Sequence, residues 1–475
     1  MPTVLYAIGI AGLFWLDRDS SERTSKALWL PVIWLMQAGS RTISEWLDVD
    51  PAAAEVPGQL PAGSLFDQFL GFGLILLGVI VLIRRRQLVR DLLKASWPVV
   101  LYFSFALVSL VWSDFPSWGF KRWIKALGDL IMVLIVATDA HPITALRRLF
   151  ARIGFILLPA SVLLINYYPD LGQLGGLNTG VTTNKNTLGD VIYLVMLAAL
   201  WQILSLIRNR NERNRARRLL AQCVLLALGI QLLSVAQCAT AVACTVLGAA
   251  LMLLTSVPLV RRRTAAVHVL VLCLLTLGGL VKFVGGSGAI TGALGRQSDL
   301  TGRTRIWDII IPLVPNRIGG AGFETFWVGP RVAEVYKLVG GPHMTNESHN
   351  GYIETYLNLG WVGVCLIALI LTVGYVRAVG VFRRDTALGA LLVGYITTAV
   401  AYNYSEAGFR VFSLQWLCLL LAVVAATRIV SVGEGRAVSP RNESLHEPDT
   451  PLPIWWGADE EEQIPATNPL RAGLI

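Results

Sequence analysis

Ala221-Gln222-Cys223-Val224-Leu225-Leu226-Ala227-Leu228-Gly229-Ile230-Gln231-Leu232-Leu233-Ser234-Val235 is an apolar run that does not alternate. A strand of a membrane barrel must alternate between lipid-facing and lumen-facing side chains. This run does not, and neither do residues 245–260. Backbone groups cannot be hydrated in hydrocarbon, so only helices and closed barrels cross a bilayer. The run is therefore read as a transmembrane helix. Comparable runs, each near the roughly 17–25 residues a crossing needs, recur along the 475-residue chain. Hydrophobic residues make up 54% and charged residues 15%, against about 25% charged in soluble domains. The expected fold is an all-α polytopic membrane protein.

The formal charge of +9 could suggest a nucleic-acid partner, but the arginines stand between apolar runs. They cluster at Arg84-Arg85-Arg86 with Arg90, Arg147-Arg148, 208–218, Arg261-Arg262-Arg263 and Arg383-Arg384, at every second connection. That alternation marks cytoplasmic loops, and no nucleic acid is expected. Spans are read at 3–16, 27–38, 67–83, 97–113, 120–138, 150–166, 187–207, 219–236, 240–260, 265–284, 355–376, 386–402 and 411–428, so twelve or thirteen in all. A signal peptide at 3–16 would need a small-residue cleavage site, and only Asp17-Arg18-Asp19 follows. The outward connections are then 39–66, 114–119, 167–186, 237–239, 285–354 and 403–410. A membrane domain, 1–430, is expected to precede a disordered cytoplasmic tail, 431–475. Six cysteines in or beside apolar runs, without a CxxC pair, suit packing rather than a metal or disulfides.

Chemistry is expected outside, because the inner loops are little more than arginine clusters. Three outward segments stand out. In Asn178 to Gly189, Asn184 and Asn186 can cap a helix starting near Thr187. Lys185 beside that helix start reads either as part of an anion site or as an interfacial lysine that snorkels. In Gly295 to Trp307, Arg296, Arg303 and Arg305 lie where orientation signals are disfavoured. Arginine suits bidentate phosphate binding; pairing with lipid headgroups, Asp299 or Asp308 is the other reading. Ile306, Trp307, Ile310, Ile311 and Val314 follow at helical spacing, as in a helix lying on the interface. The third is Glu347-Ser348-His349-Asn350-Gly351-Tyr352-Ile353-Glu354, before an apolar run. A helix starting near Asn346 would put His349, Tyr352, Ile353 and Tyr356 on one face. His349 is then a candidate general base at the bilayer boundary, or a histidine merely hydrogen-bonded there.

In this order the segments resemble the O-antigen ligase and polymerase superfamily, most closely its exopolysaccharide polymerase branch. The resemblance rests on Asn184-Lys185-Asn186-Thr187-Leu188-Gly189, Leu300-Thr301-Gly302-Arg303-Thr304-Arg305-Ile306-Trp307, Pro315 to Phe323, and Ser348-His349-Asn350-Gly351-Tyr352 running on to Leu359-Gly360-Trp361-Val362-Gly363. Weaker likenesses are Ser109-Leu110-Val111-Trp112-Ser113 with Pro116, Ser40-Arg41-Thr42-Ile43-Ser44 with Trp46-Leu47, and Asn403 to Glu406. Many relatives carry a basic residue beside a threonine at the turn read here as Gln237-Cys238-Ala239-Thr240. Its lack leaves the phosphate ligands to Lys185, Arg303 or Arg305.

The resemblance implies glycan transfer from an undecaprenyl-diphosphate donor to a sugar hydroxyl at the periplasmic face of the bacterial inner membrane, without a metal, cofactor or nucleotide sugar. His349 would be catalytic. Arg303, Arg305, Lys185, Asn184, Asn186, Asn350, Glu347, Tyr352 and Glu406 would bind substrate. The acceptor is another lipid-linked repeat unit in a polymerase, or lipid A–core in a ligase. Chain-length regulators and export proteins are the expected partners besides donor, acceptor glycan and bilayer. One clear base implies direct displacement with inversion. The reading from a different class is a lipid-linked glycan flippase, which would show midplane ionisable residues and inverted repeats. Asp129, Asp190 and Lys282 lie nearer span ends or on single spans, and no repeat is evident.

Overall fold

A computed structural model describes residues 1–19, 23–47, 64–212, 214–285, 300–339 and 347–438. Its main helices are α1 (Pro2–Leu16), α2 (Trp29–Ala38), α3 (Leu65–Arg84), α4 (Arg86–Ala95), α5 (Trp97–Val108), α6 (Pro116–Ala137), α7 (Pro142–Tyr167), α8 (Lys185–Arg208), α9 (Arg215–Val235), α10 (Ala239–Leu254), α11 (Thr264–Gly285), α12 (Leu300–Ile310), α13 (Pro330–Val339), α14 (Gly351–Phe382), α15 (Thr386–Tyr402) and α16 (Leu414–Val438). Every segment read as a span is helical over most of its length. By length and hydropathy six described helices can each cross a bilayer, and α4 with the segment 97–112 makes a seventh, bent by 88°. Pro2–Leu16, Ala239–Leu254, Thr264–Leu277 and Thr386–Tyr402 are shorter apolar helices. The protein is an all-α polytopic membrane protein, as expected.

Helix α8 is the centre. It packs on α7, α9, α10 and α15, and its side chains from Leu188 to Ala199 are all buried. Small residues allow the close approach that helices need where lipid supplies no hydrophobic drive. A Cβ on Gly189 would press on Cys238 and Ala241 of the α10 turn, at 2.8–3.0 Å. The helix α3, by contrast, turns most of its apolar surface outward.

The part of the chain from 300 to 359 builds a second, smaller apolar core. Ile310, Val314, Ala321, Phe326, Val335 and Leu357 are buried together, flanked by Ile306, Trp307, Ile353 and Tyr356. The apolar stripe of α12 is thus covered by protein. It was expected to lie on the membrane interface, and its hydrophobic face finds α13 and the start of α14 instead.

Helix α14 is two helices in sequence. Gly360 has φ +62°, and Trp361 N–H and Val362 N–H donate to the carbonyls of Arg317 and Ile318 at 3.0 and 3.2 Å. Ala321 N–H and Gly322 N–H likewise donate to Leu357 and Asn358. Loop 316–322 therefore docks along the break as backbone on backbone, and a Cβ at Gly360 would fall on the Ile318 carbonyl. The segment 351–359 stays with the small core, and the apolar run from Trp361 onward joins the bundle. In the segment before α8, Gln173–Leu174 and Leu177–Asn178 form a two-residue hairpin across Gly175 and Gly176, both at positive φ.

The chain divides into Met1–Val432 and Gly433–Ile475. The tail expected to be disordered lies outside the described residues from 439 onward. So do Arg296, Asp299 and the other residues of 286–299.

Candidate functional site

The starts of α8, α10, α14 and α16 and the end of α15 meet at one end of the bundle. Asn350 is the N-cap of α14; its side-chain oxygen accepts from Tyr352 N–H and Ile353 N–H, each at 3.0 Å. The helix thus begins at Gly351, and the expected start near Asn346 is displaced. His349 sits outside the helix, not on a face shared with Tyr352. It has φ +50°, a left-handed conformation that a non-glycine residue holds only when its surroundings dictate it.

Those surroundings are clear. Trp307 Nε1–H donates to the Ser348 carbonyl at 2.8 Å. Ser348 N–H donates to Glu354 at 3.0 Å, and Glu354 also accepts from Trp327 Nε1–H at 2.7 Å. Gly351 N–H is shared by the carbonyls of Asn403 and Glu406, at 2.8 and 3.0 Å. Any side chain at Gly351 would run into Asn403 Oδ1. The loop 403–413 is itself held at both ends. Asn403 Oδ1 accepts from Gly408 N–H and Phe409 N–H, and Asp129 and Asp190 accept from Phe412 N–H and Gln415 N–H.

On this frame five ionisable side chains converge. His349 Nδ1 is 2.8 Å from Glu347 Oε1 and 3.7 Å from Glu406 Oε2. Glu347 at 2.8 Å is thus the nearer of the two carboxylates and pairs with the protonated ring. Arg410 pairs with Glu347 Oε2 at 2.7 Å, and Arg303 lies 3.4 Å from Glu406 Oε1 while donating to the Ser405 carbonyl. Asn186 Nδ2–H donates to Glu406 Oε2 at 3.0 Å. Burial opposes charge on His349, but the carboxylates of Glu347 and then Glu406 outweigh it and push its pKa up to about 9. Burial likewise works to raise Glu347, yet His349 and Arg410 hold it down at about 2. With His349 protonated, the cluster carries one positive charge in excess. His349 keeps 29% of its side chain exposed, enough to meet a ligand.

The ligand atoms of Glu347, His349 and Glu406 all lie within 4.8 Å of one another, close enough for one metal ion. Metal ligation needs a neutral imidazole and free carboxylate oxygens. Here each carboxylate is engaged by a guanidinium, so the arrangement suits an ion-pair network better than a metal site.

The other expected residues divide. Lys185 opens α8 beside Asn186, and among the described residues no hydrogen bond or ion pair of its ammonium is seen. Asn184 spends its side chain capping α8 through Thr187 N–H at 2.8 Å, and Asn350 caps α14 while donating to the Tyr404 carbonyl. The hydroxyl of Tyr352 is taken by the Val400 carbonyl at 3.1 Å, and its ring packs on Phe409. These three shape the site rather than face into it. Arg305 is exposed and two residues from Arg303, hence on another side of α12. In the turn that lacks a basic residue, Thr240 meets the Ser405 hydroxyl at 3.1 Å and Cys238 Sγ lies 3.8 Å from Asn186. The turn thus belongs to the site, and Arg303 reaches the same Ser405.

Sequence reasoning missed Arg410 and Glu324. Arg410 stands in a connection expected to be outward, the argument that singled out Arg303, but inside no motif. Glu324 sits at φ +57°, pairs with Arg122 at 2.8 Å and accepts from Val411 N–H at 3.5 Å. Burial raises its pKa, but Arg122 and Arg410 bring it below the usual range.

A cleft of about 870 Å³ with mostly apolar walls lies elsewhere, between α3, α4, α5 and α6.

Fold and site define a class: a polytopic helical membrane protein with a cationic, histidine-bearing cluster where several helix ends meet. Residues 222–368 match the family model described as O-Antigen ligase. The chain is also similar to the exopolysaccharide production protein ExoQ of Rhizobium meliloti (strain 1021), 26% identical over 318 residues, covering 62% of this chain and 68% of the relative. Both likenesses agree with the resemblance carried by the motifs, to the O-antigen ligase/polymerase superfamily and its exopolysaccharide branch.

Proposed function

We propose that this protein is a glycosyltransferase that polymerises undecaprenyl-diphosphate-linked oligosaccharide repeats for exopolysaccharide at the periplasmic face of the inner membrane. The observation that carries it is the convergence of His349, Glu347, Glu406, Arg303 and Asn186, from four segments far apart in sequence, on one cluster. A flippase gives no reason for a protonatable imidazole clamped between carboxylates at a helix start. The likeness to an exopolysaccharide production protein favours polymerase over lipid A–core ligase.

In the reaction the acceptor hydroxyl oxygen attacks the anomeric carbon of the donor. The bond from that carbon to the diphosphate oxygen breaks, and the leaving lipid diphosphate keeps the electron pair. The hydroxyl proton passes to neutral His349, with inversion at carbon. Cations stabilise the leaving charge: Lys185, at the positive end of α8, and the imidazolium that His349 becomes as it takes the proton. Because His349 titrates near 9, only about one molecule in a hundred holds it neutral at pH 7. Activity is therefore expected to rise with pH.

His349→Ala should abolish polymer, since loss of a general base costs about 10²–10⁴-fold. The protein should still insert and accumulate. Polymer at near-parent level from a His349→Ala strain rejects the assignment.

A further inference from the structure

The apolar cleft on the far side of α6 is a candidate lipid site. None of its lining residues belongs to the ionic cluster, and its basic rim is α4, at a connection that carries one of the arginine clusters. Its walls are α3, α5 and α6, and its rim is α4, which turns by 88° into α5. The sequence of α4, Arg86-Gln87-Leu88-Val89-Arg90-Asp91-Leu92-Leu93-Lys94-Ala95, is amphipathic. Helices of that kind lie in the plane of the interface.

Arg86, Arg90 and Lys94 recur every four residues and so share one face. All three line the cleft and are exposed. Among the described residues none of them shows a hydrogen bond or ion pair. The neighbouring Arg85 differs: it donates to the Ile135 carbonyl and the Thr138 hydroxyl at 3.1 and 3.2 Å. One arginine thus fastens the corner while three cations stand over the cleft unanswered. Below them Leu101, Leu130 and Leu134 present hydrocarbon. About 870 Å³ falls within the roughly 300–1,000 Å³ of ligand clefts. An anionic head above an apolar slot, with basic side chains between helices, is the arrangement that selects acidic phospholipids.

We infer that the cleft between α3, α4, α5 and α6 binds an anionic phospholipid, its phosphate against Arg86, Arg90 and Lys94 and an acyl chain along Leu101 and Leu134. The occupant is a bilayer phospholipid rather than the glycan donor, whose diphosphate belongs at the other end of the bundle.

The test is native mass spectrometry of the delipidated full-length chain, titrated with phosphatidylglycerol or phosphatidylcholine. The parent should bind phosphatidylglycerol more tightly. The triple variant R86Q/R90Q/K94Q should weaken that binding by roughly 100-fold and leave phosphatidylcholine unchanged, each basic residue contributing about a factor of five. A charge-preserving R86K/R90K/K94R variant should keep the preference, and Leu101→Trp, which fills the slot, should weaken both lipids. Equal parental binding of the two lipids, an unchanged triple variant, or loss of preference in the charge-preserving variant would overturn the inference. Unchanged phosphatidylglycerol binding by Leu101→Trp would overturn it too, by showing a headgroup held at the surface with no chain in the cleft.

Discussion

His349 owes its chemistry to neighbours that lie far off in sequence. Alone, it would titrate near 6.5; between Glu347 and Glu406 it titrates at about 9. The sign is set by the carboxylates, which stabilise the imidazolium. A Glu347→Gln substitution removes one of them, so the folded pKa must fall. The acidic limb of the polymerisation rate should then move from about pH 9 toward the ordinary histidine range. A pH–rate profile of the reconstituted protein reads this directly, and a limb that stays in place would mean another group is titrating. The raised pKa also links to stability: the contribution of protonated His349 is complete below about pH 6.5 and is lost as pH climbs through about 9. Arg303 makes a second residue-level prediction. Its fork reaches both the Ser405 carbonyl and Glu406, and a compact ammonium on a flexible stem lacks the rigid planar geometry that holds both contacts at once. Arg303→Lys should therefore lose polymer nearly as Arg303→Ala does, read as donor turnover in proteoliposomes; a Lys variant at parent level would reduce Arg303 to a headgroup contact.

Among the elements, α14 decides most. Its apolar run from Trp361 was legible from composition, and so was a polar motif ahead of it. The break at Gly360 was not, because its cause is a loop forty residues upstream whose carbonyls occupy the turn. Glycine is required there twice over, by a φ of +62° and by the Ile318 carbonyl where a Cβ would lie. Gly360→Ala should lower the thermal midpoint in detergent by several degrees, since such a strained residue costs roughly 1–3 kcal/mol. An unchanged midpoint would mean the loop and helix do not dock this way. Helix α12 shows the opposite case. Its 3.6-residue periodicity gave away a buried stripe, but periodicity cannot say whether lipid or protein covers it, and here protein does.

For the whole molecule, the arginine clusters predict that the end of the bundle bearing the ionic cluster faces outward. In a cysteine-less background, Leu338→Cys on α13 should react with a membrane-impermeant maleimide in intact cells, and Arg262→Cys only after lysis. The reverse pattern would invert the topology and with it the periplasmic assignment. Helical class and apolar runs were readable from the sequence because each rests on local composition: hydrocarbon demands apolar length. The motif residues His349, Arg303 and Asn186 could be picked out as unusual for the same reason, as polar groups where orientation and anchoring do not need them. Their partnership could not. Glu406 and Arg410 meet them only because three aspartate and asparagine side chains grip the backbone of loop 403–413 and a glycine lets that loop lie against α14. Charge–charge coupling depends on distances of a few ångströms between segments up to 220 residues apart, and that is a property of the folded chain alone.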